Sequence, residues 1–305
     1  SVMKAIVFGG SGFVGSRVAD KLTESGYEVT IFDLKTPKSA KKSQKFVMGD
    51  MLDAGKVKNA VKGQDIVYNF AGVADIDKAT RSPVNTLKIN IEGNTNIIEA
   101  SKENKVKRFV FASSLYVYSE SGSFYRCSKQ ACELIIEEYQ KHYGLDYTIL
   151  RYGSLYGIHA DESNWIYSIL TQAVKEGKIT RYGDGQEIRE YIHVEDAARC
   201  SVDILREEFK NQSVIIAGQQ PIKVCDLLAM IKEILGNKIS IEYRSSEKNT
   251  DHYEITPYTF KPKLAKRLFT NTYVDLGQGI IQILSHIYTN DFPHKKHNGF
   301  FIEGK

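Results

Sequence analysis

The sequence predicts an α/β fold: a doubly wound parallel sheet followed by a smaller C-terminal α/β lobe. Two patterns predict it. The first half alternates short runs rich in Val, Ile and Phe with amphipathic stretches, the rhythm of strand–helix–strand units. A glycine cluster stands directly between the first run and the first amphipathic stretch. The chain has 305 residues, which suits one large domain with a smaller partner.

In order, strands are expected at Lys4–Phe8, Glu28–Phe32, Phe46–Met48, Ile66–Phe70, Phe109–Ser113 and Tyr147–Leu150. Their near-continuous apolar character is that of parallel strands covered on both faces. Helices are expected over Phe13–Glu24, Val57–Val61, Val84–Glu103 and Arg126–His142. Val84, Leu87, Ile91, Asn94 and Ile98 recur at helical spacing, as do Ala131, Leu134, Ile135 and Tyr139. The second half is less regular. Helices are expected near Trp165–Glu176, Glu195–Glu207, Val224–Leu235 and Leu276–Tyr288. Short strands are expected near Ile179–Tyr182, Tyr191–Val194, Ser213–Ile216 and Ile239–Tyr243. Residues 1–155 are expected to form the first domain and 156–305 mainly the lobe, with a segment about 185–210 returning to the first. The tail from Asn290 has no clear periodicity, and the chain shows no internal repeats.

Composition excludes several classes. No apolar run is long enough to span a bilayer. The first apolar stretch, Ala5 to Phe8, is ended by glycines and reads as a strand rather than a leader. A soluble, cytoplasmic protein is the expectation. Cys127, Cys132, Cys200 and Cys225 form no CxxC pair and no metal-ligand spacing with histidine, so no metal is expected. They read as buried free thiols, and residues 127 and 132 do not share a helix face. Lysines 35, 38, 41, 42 and 45 cluster in one segment. With no stacking aromatics beside them, they read as a solvated loop rather than a nucleic-acid surface.

Gly9, Gly10, Gly12 and Gly15 follow the first strand and open the first helix. Glycine permits the tight turn and the close approach of backbone to a pyrophosphate, and the helix start presents its N–H groups to the phosphates. Asp33 closes the second strand, eighteen residues after Gly15. A carboxylate there accepts hydrogen bonds from ribose hydroxyls and repels a 2′-phosphate, so a Rossmann-type site for NAD is expected rather than one for NADP. Lys35 and Lys38 keep NADP as the second choice.

Further along, Ser113-Ser114-Leu115-Tyr116-Val117-Tyr118 ends a strand, and Tyr125-Arg126-Cys127-Ser128-Lys129 opens a helix. Spacing i to i+4 puts Tyr125 and Lys129 on one helix face. With the glycine turn and Asp33, the order of these motifs resembles the extended short-chain dehydrogenase/reductase family, especially its sugar-nucleotide epimerases and dehydratases. The resemblance runs from Lys4 to near Tyr288. It implies that Tyr125 removes a proton from a substrate hydroxyl as hydride passes to NAD. A free phenol has a pKa near 10. Positive charge at Lys129 and on the oxidised ring lowers it into a useful range. Ser114 would bond the reacting oxygen, and Lys129 would also hold the nicotinamide ribose.

The resemblance implies further cofactor contacts at Gly9, Gly12, Phe13, Val14, Gly15, Asp33, Leu34, Asp50, Met51, Phe70, Ala71, Gly72, Val73, Asn90, Ala112, Ser113, Tyr152 and Ser154. It implies substrate contacts at Asp75, Ser114, Ser154, Arg189, Tyr191 and Arg244, the last grouped with Glu247. Arg189 lies in Arg189-Glu190-Tyr191-Ile192-His193-Val194-Glu195-Asp196, after Gly183-Asp184-Gly185, and guanidinium geometry suits a diphosphate. His193 reads as a packed structural residue. Ser154 stands where the family has asparagine, which weakens transfer of that phosphate contact. Leu115-Tyr116 replaces the Asp-Glu of the dehydratases, and leucine can be neither acid nor base, so dehydration is disfavoured. Only eleven positions separate Ser114 from Tyr125, fewer than in most relatives, which suggests a more open pocket.

The expected activity is therefore oxidation at C4 of a nucleotide-diphospho-sugar, as a 4-epimerase or as a net C4 dehydrogenase. The alternatives are a reductase of a non-sugar alcohol or ketone, steroid- or flavonoid-type, and a non-catalytic NAD sensor. The resemblance also implies a homodimer through a four-helix bundle of the helices Val84–Glu103 and Arg126–His142. No nucleic-acid or membrane partner is expected.

Overall fold

The computed structural model describes residues 1–119, 121–245, 265–270 and 272–295. Along the chain come β1 (Lys4–Phe8), α1 (Phe13–Glu24), β2 (Glu28–Asp33), β3 (Lys45–Met48), α2 (Ala54–Val61), β4 (Ile66–Asn69), α3 (Ile76–Arg81) and α4 (Pro83–Leu87). A π-helical turn at Lys88–Gly93 leads into α5 (Asn94–Glu103), then β5 (Arg108–Ser114), a 3₁₀ turn (Leu115–Tyr118), α6 (Ser123–Tyr143) and β6 (Tyr147–Tyr152). There follow β7 (Ser154–Tyr156), α7 (Trp165–Glu176), β8 (Lys178–Tyr182), β9 (Ile188–Arg189), β10 (Tyr191–His193), α8 (Val194–Asp203) and β11 (Gln212–Ile216). The last described elements are β12 (Ile222–Lys223), α9 (Val224–Ile234), β13 (Ser240–Arg244), β14 (Ala265–Arg267) and α10 (Leu276–His286).

The chain divides into two compact units. The first holds Ser1–Tyr152, Ala197–Ile216 and, of the described residues, 265–269. Its eight-stranded sheet has the order β14-β11-β6-β5-β4-β1-β2-β3, and all its pairings are parallel. The order reverses at β1, so the chain returns to β4 on the far side of β1 from β2, the switch point at which open α/β sheets bind ligands. Ala5, Ile6, Val7 and Phe8 of β1 are fully buried, as the apolar run requires of a strand covered on both faces. Val18, Ala19 and Leu22 of α1 supply one covering stripe.

The second unit holds Gly153–Asp196 and, of the described residues, 217–245, 270 and 272–295. Its strands pair in twos, β7 with β10, β9 with β12 and β8 with β13. Its core is built by α7, α9 and α10, with Leu170, Leu227, Leu228, Ile231, Ile280, Ile283 and Leu284 fully buried. Asn164 caps α7 by accepting from the Tyr167 N–H at 3.2 Å, and Gly177 at φ +70° ends it.

Three sequence expectations need correction. The helix Val84–Glu103 is interrupted by the π turn, which swings Asn90 and Gly93 into the interior. In α6 the buried positions are Ser128, Cys132, Glu133 and Ile136, while Leu134 is 60% exposed. The apolar stripe was misplaced because a buried glutamate takes a core position. Of the four thiols only Cys132 and Cys200 are buried. The lysine-rich segment is partly ion-paired, Lys45 with Glu28 at 2.8 Å and Lys41 with Glu24 at 3.7 Å, as a solvated face would be. No described helix is long and apolar enough to cross a membrane.

Candidate active site

The glycine turn lies at the C-terminal end of β1. Gly9 takes φ +76°, and a Cβ there would come within 2.7 Å of the Ala71 nitrogen, so only glycine fits between this turn and the loop after β4. Gly12 is the N-cap of α1 and no side chain caps the helix, which leaves the N–H groups of Phe13, Val14 and Gly15 without a side-chain acceptor. Asp33, at the end of β2, accepts from the Ser11 N–H at 3.0 Å and from the Lys35 N–H at 3.1 Å. The acid is thereby held against the glycine turn, beside the 65% exposed Leu34. An uncapped helix start, a turn with no room for side chains and a fixed carboxylate fit a dinucleotide.

The loop after β4 closes the opposite side. Gly72 has φ +138°, and a Cβ there would lie 2.7 Å from Asn90 Oδ1. That oxygen accepts from the Val73 N–H at 2.7 Å, and Asn90 Nδ2 donates to Val73 O at 3.1 Å and to Ser128 Oγ at 3.0 Å. Ser128 in turn donates to Tyr125 O at 2.7 Å. One buried amide thus couples the cofactor loop to the helix of the tyrosine–lysine motif. Phe70 stacks on Tyr68 with centroids 5.9 Å apart.

In α6, Lys129 Nζ donates to Ala112 O at 2.8 Å and lies 5.6 Å from the Tyr125 ring centroid and 4.8 Å from that of Phe111. Burial pulls its pKa down to about 8, with Cys132 and Glu133 opposing the shift. An ammonium has three donors, so two remain for other partners. The Tyr125 ring meets Tyr116 edge-on, with centroids 6.2 Å apart. Ser114 Oγ accepts from the Tyr116 N–H at 3.1 Å, and its own proton stays available to donate. Ser114, Tyr125 and Lys129 therefore belong to one strand end and the helix packed on it.

Other expected site residues are used differently. The Ser113 hydroxyl donates to the buried Glu133 at 2.6 Å and is not offered to a cofactor. The Tyr152 hydroxyl pairs with Ser201 Oγ at 2.5 Å, and burial drives its pKa far upward, so it is a core phenol. Met51 is 6% exposed, with its side chain packed against Gly93 and its carbonyl accepting from Asn96 Nδ2 at 3.0 Å, so its side chain is not offered to a ligand. Asp50 is exposed and accepts from the Leu52 N–H at 2.9 Å. Asp75 is exposed and caps α3, its Oδ1 accepting from the Lys78 N–H at 2.8 Å.

The second unit carries the remaining residues. The Ser154 N–H donates to Glu190 O at 3.3 Å. Half-buried Arg189 sits in β9 and donates to Ile188 O at 3.1 Å. Tyr191 stacks on Trp165, with centroids 6.4 Å apart. Arg181 lies over Trp165 and pairs with Glu187. Arg244 is exposed and bonded to Glu242 at 3.0 Å, an ordinary surface pair, and Glu247 lies outside the described residues. His193 is packed, accepting from the Glu195 N–H at 3.1 Å and sharing a 2.8 Å bond with Gln282. Ser128 and Glu133 stand outside the sequence-predicted site, yet they bond to Asn90 and Ser113 within it. Both were within reach of the sequence, since Glu133 stands one helical turn beyond Lys129.

Known proteins resemble this chain over most of its length. The profile of the NAD dependent epimerase/dehydratase family matches residues 5–218. A putative UDP-glucose 4-epimerase of Methanocaldococcus jannaschii is 28% identical over 94% of this chain and 99% of its own length. A dTDP-glucose 4,6-dehydratase of Streptomyces antibioticus is 28% identical over 77% of this chain and 78% of its own. Among solved structures, a UDP-glucose 4-epimerase of Thermotoga maritima with UDP-glucose superposes with TM-score 0.81 at 26% identity, covering 94% of this chain and 99% of that one.

Proposed function

The chain belongs to the NAD dependent epimerase/dehydratase family, and from that premise we propose that it oxidises C4 of a nucleotide-diphospho-sugar and returns hydride to the opposite face, as a 4-epimerase. The observation that carries this reading is the joining of Tyr125, Lys129 and Ser114 on one strand end and one helix face. Bound NAD supplies the hydride acceptor. Tyr125 takes the proton of the C4 hydroxyl, and Lys129 favours the phenolate and uses its remaining donors on the nicotinamide ribose. Ser114 donates to the reacting oxygen. Asp33 would receive the adenosine ribose hydroxyls, and the N–H groups at the start of α1 would hold the pyrophosphate. On this reading the first unit binds NAD and the second carries the sugar-nucleotide contacts, with Arg189 for the diphosphate.

Leu115 is 3% exposed and carries no proton, which speaks against the elimination catalysed by the dehydratase relatives. A net C4 dehydrogenase is the second outcome of the same chemistry. The eleven positions from Ser114 to Tyr125, few for this family's motif spacing, favour it by leaving less chain to retain the ketone. Incubation with UDP-, GDP- and dTDP-hexoses, followed by nicotinamide absorbance and product NMR, separates them. An inverted C4 with no net NADH supports the epimerase. Accumulated NADH with a free keto-sugar supports the dehydrogenase. No reaction with any nucleotide sugar would refute both.

The subunit reading is a homodimer through the outer faces of α4 and α6. Val84 is 81% and Leu134 60% exposed, apolar side chains that a second copy would cover.

A further inference from the structure

Four residues beneath the tyrosine–lysine pair form one buried polar chain. Glu133 Oε1 accepts from Arg151 Nη2 at 2.6 Å, and Glu133 Oε2 accepts from Arg151 Nε at 3.3 Å and from Ser113 Oγ at 2.6 Å. Arg151 Nη1 donates to the Tyr118 hydroxyl at 2.7 Å. Side-chain exposure is 0% for Arg151 and 7% for Glu133, so water screens neither charge.

A pair this deep is poorly explained by stability. Removing two charges from water costs several kcal/mol per ion, and apolar replacements of similar volume are often neutral or stabilising. Its geometry is more informative. The four residues come from the end of β5, the 3₁₀ turn after it, α6 and β6. Ser113 stands between Ala112, whose carbonyl holds Lys129, and Ser114. Glu133 lies one helical turn beyond Lys129 on α6. Arg151 is fork-shaped, so its donors fix direction as well as distance.

We propose that the Glu133–Arg151 pair is a positioning device that sets the height of α6 against the end of β5 and so places Lys129 and Tyr125 opposite Ser114. This rests on the reading of Tyr125 as the base. The same carboxylate also acts on Lys129 electrically. The groups around that ammonium are Tyr125, Cys132 and Glu133 on α6, the Phe111 ring and Ala112 carbonyl on β5, and, behind Glu133, Arg151 and Tyr118. Burial pushes the Cys132 thiol up to about 11, so it is neutral at ordinary pH and Glu133 is the anion that keeps Lys129 charged.

The test uses the full-length, NAD-loaded enzyme with UDP-galactose as substrate probe and ¹³C-lysine NMR as a substrate-free readout, Lys129 being identified through Lys129→Met. Glu133→Gln keeps the shape and removes the charge. The Glu133→Met/Arg151→Met double variant removes the pair without leaving an orphaned charge. Both are expected to bind NAD within about twofold of the parent and to lose 10-fold or more in kcat, with Lys129 titrating lower in Glu133→Gln, where the anion alone is removed. Without turnover of UDP-galactose, the lysine titration decides the matter. A Lys129 titration unchanged in Glu133→Gln, or native kcat in the double variant, overturns the inference. So does failure of both to fold, which would make the pair a stability element. If Tyr125→Phe keeps turnover, the base assignment fails instead, and the two failures are thereby told apart.

Discussion

Lys129 Nζ donates to the carbonyl of Ala112 at 2.8 Å, so the helix bearing the tyrosine–lysine motif is tied to the strand bearing Ser114. That bond leaves two ammonium donors unused and holds the positive charge 5.6 Å from the Tyr125 ring. A proton-accepting phenol needs this arrangement.

Tyr125→Phe keeps the ring packing against Tyr116 and removes the hydroxyl. Turnover is expected to fall about 10³-fold, the scale of a lost general base, while NAD affinity measured by calorimetry stays within about twofold. Unchanged turnover would remove Tyr125 from the proton-transfer role.

The pH dependence follows from Lys129. Its pKa in the folded chain is about 8, lowered by burial from an ordinary value near 10.5. Activity that needs the ammonium is therefore expected to fall as pH rises through about 8. Lys129→Arg, with a guanidinium that does not titrate there, keeps part of the activity and loses that alkaline limb. The stability sign is the reverse. The unfolded chain binds the extra proton between about 8 and 10.5, so this residue's penalty is fully present below pH 8 and is relieved as pH rises through that window. Lys129→Met should raise the melting temperature at pH 7 and show less gain at pH 10, measured by calorimetry in matched buffers. A titration curve for kcat/KM with no limb near 8 in the parent would contradict the assignment.

Asp33 is the residue on which cofactor choice turns. Its two oxygens are held by the Ser11 and Lys35 N–H groups, which fix the carboxylate next to the glycine turn. Asp33→Ser is expected to weaken NAD binding about 10-fold and to narrow the preference over NADP, through loss of the ribose acceptor and of repulsion toward a 2′-phosphate. Fluorescence titration with both cofactors checks it. An unaltered NAD/NADP ratio would place discrimination elsewhere, with Lys35 the first residue to examine.

Much of this was legible beforehand because it is local. The glycine turn, Asp33 and the i, i+4 pair of α6 are each fixed by neighbours in sequence, and parallel strands announce themselves as apolar runs. What was not legible is set by distant partners. Leu134 and Glu133 exchange the places that hydrophobicity assigns them because Arg151, from another strand, waits in the interior. Tyr152 was expected at the cofactor and is turned to Ser201, which a segment 49 residues away supplies. The π turn at Lys88–Gly93 carries no clear propensity signal, and its use is visible only in the bonds that Asn90 makes. The two-residue strands β9 and β12 define each other only by pairing.

Asn90 couples Val73 to Ser128 through three hydrogen bonds in a site 5% exposed. Asn90→Ala leaves the Val73 N–H without its acceptor, and a loss of about 2–3 kcal/mol in urea unfolding is expected. Gly72→Ala is expected to do comparable damage, since its Cβ would meet Asn90 Oδ1 at 2.7 Å at a φ of +138°. Both variants should also bind NAD more weakly, because the loop they disturb borders the glycine turn. A double variant no worse than either single would show that both act on one contact, whereas additive losses would mean that they act separately.

Leu134 tests the subunit reading. It is 60% exposed on α6, and Val84, at 81%, belongs to α4, which packs beside that helix. If a second copy covers this face, Leu134→Glu puts a carboxylate into a closed apolar contact, where burial without a partner costs several kcal/mol. The parent should then run at about twice its 34.4 kDa chain mass in multi-angle light scattering, and the variant at the mass of one chain with its circular dichroism unchanged. Leu134 stands nine positions from Tyr125, on the opposite side of α6, so single-chain Leu134→Glu should still bind NAD. A parent already at one chain mass would end the dimer reading, and a variant that remains dimeric would move the interface off this face.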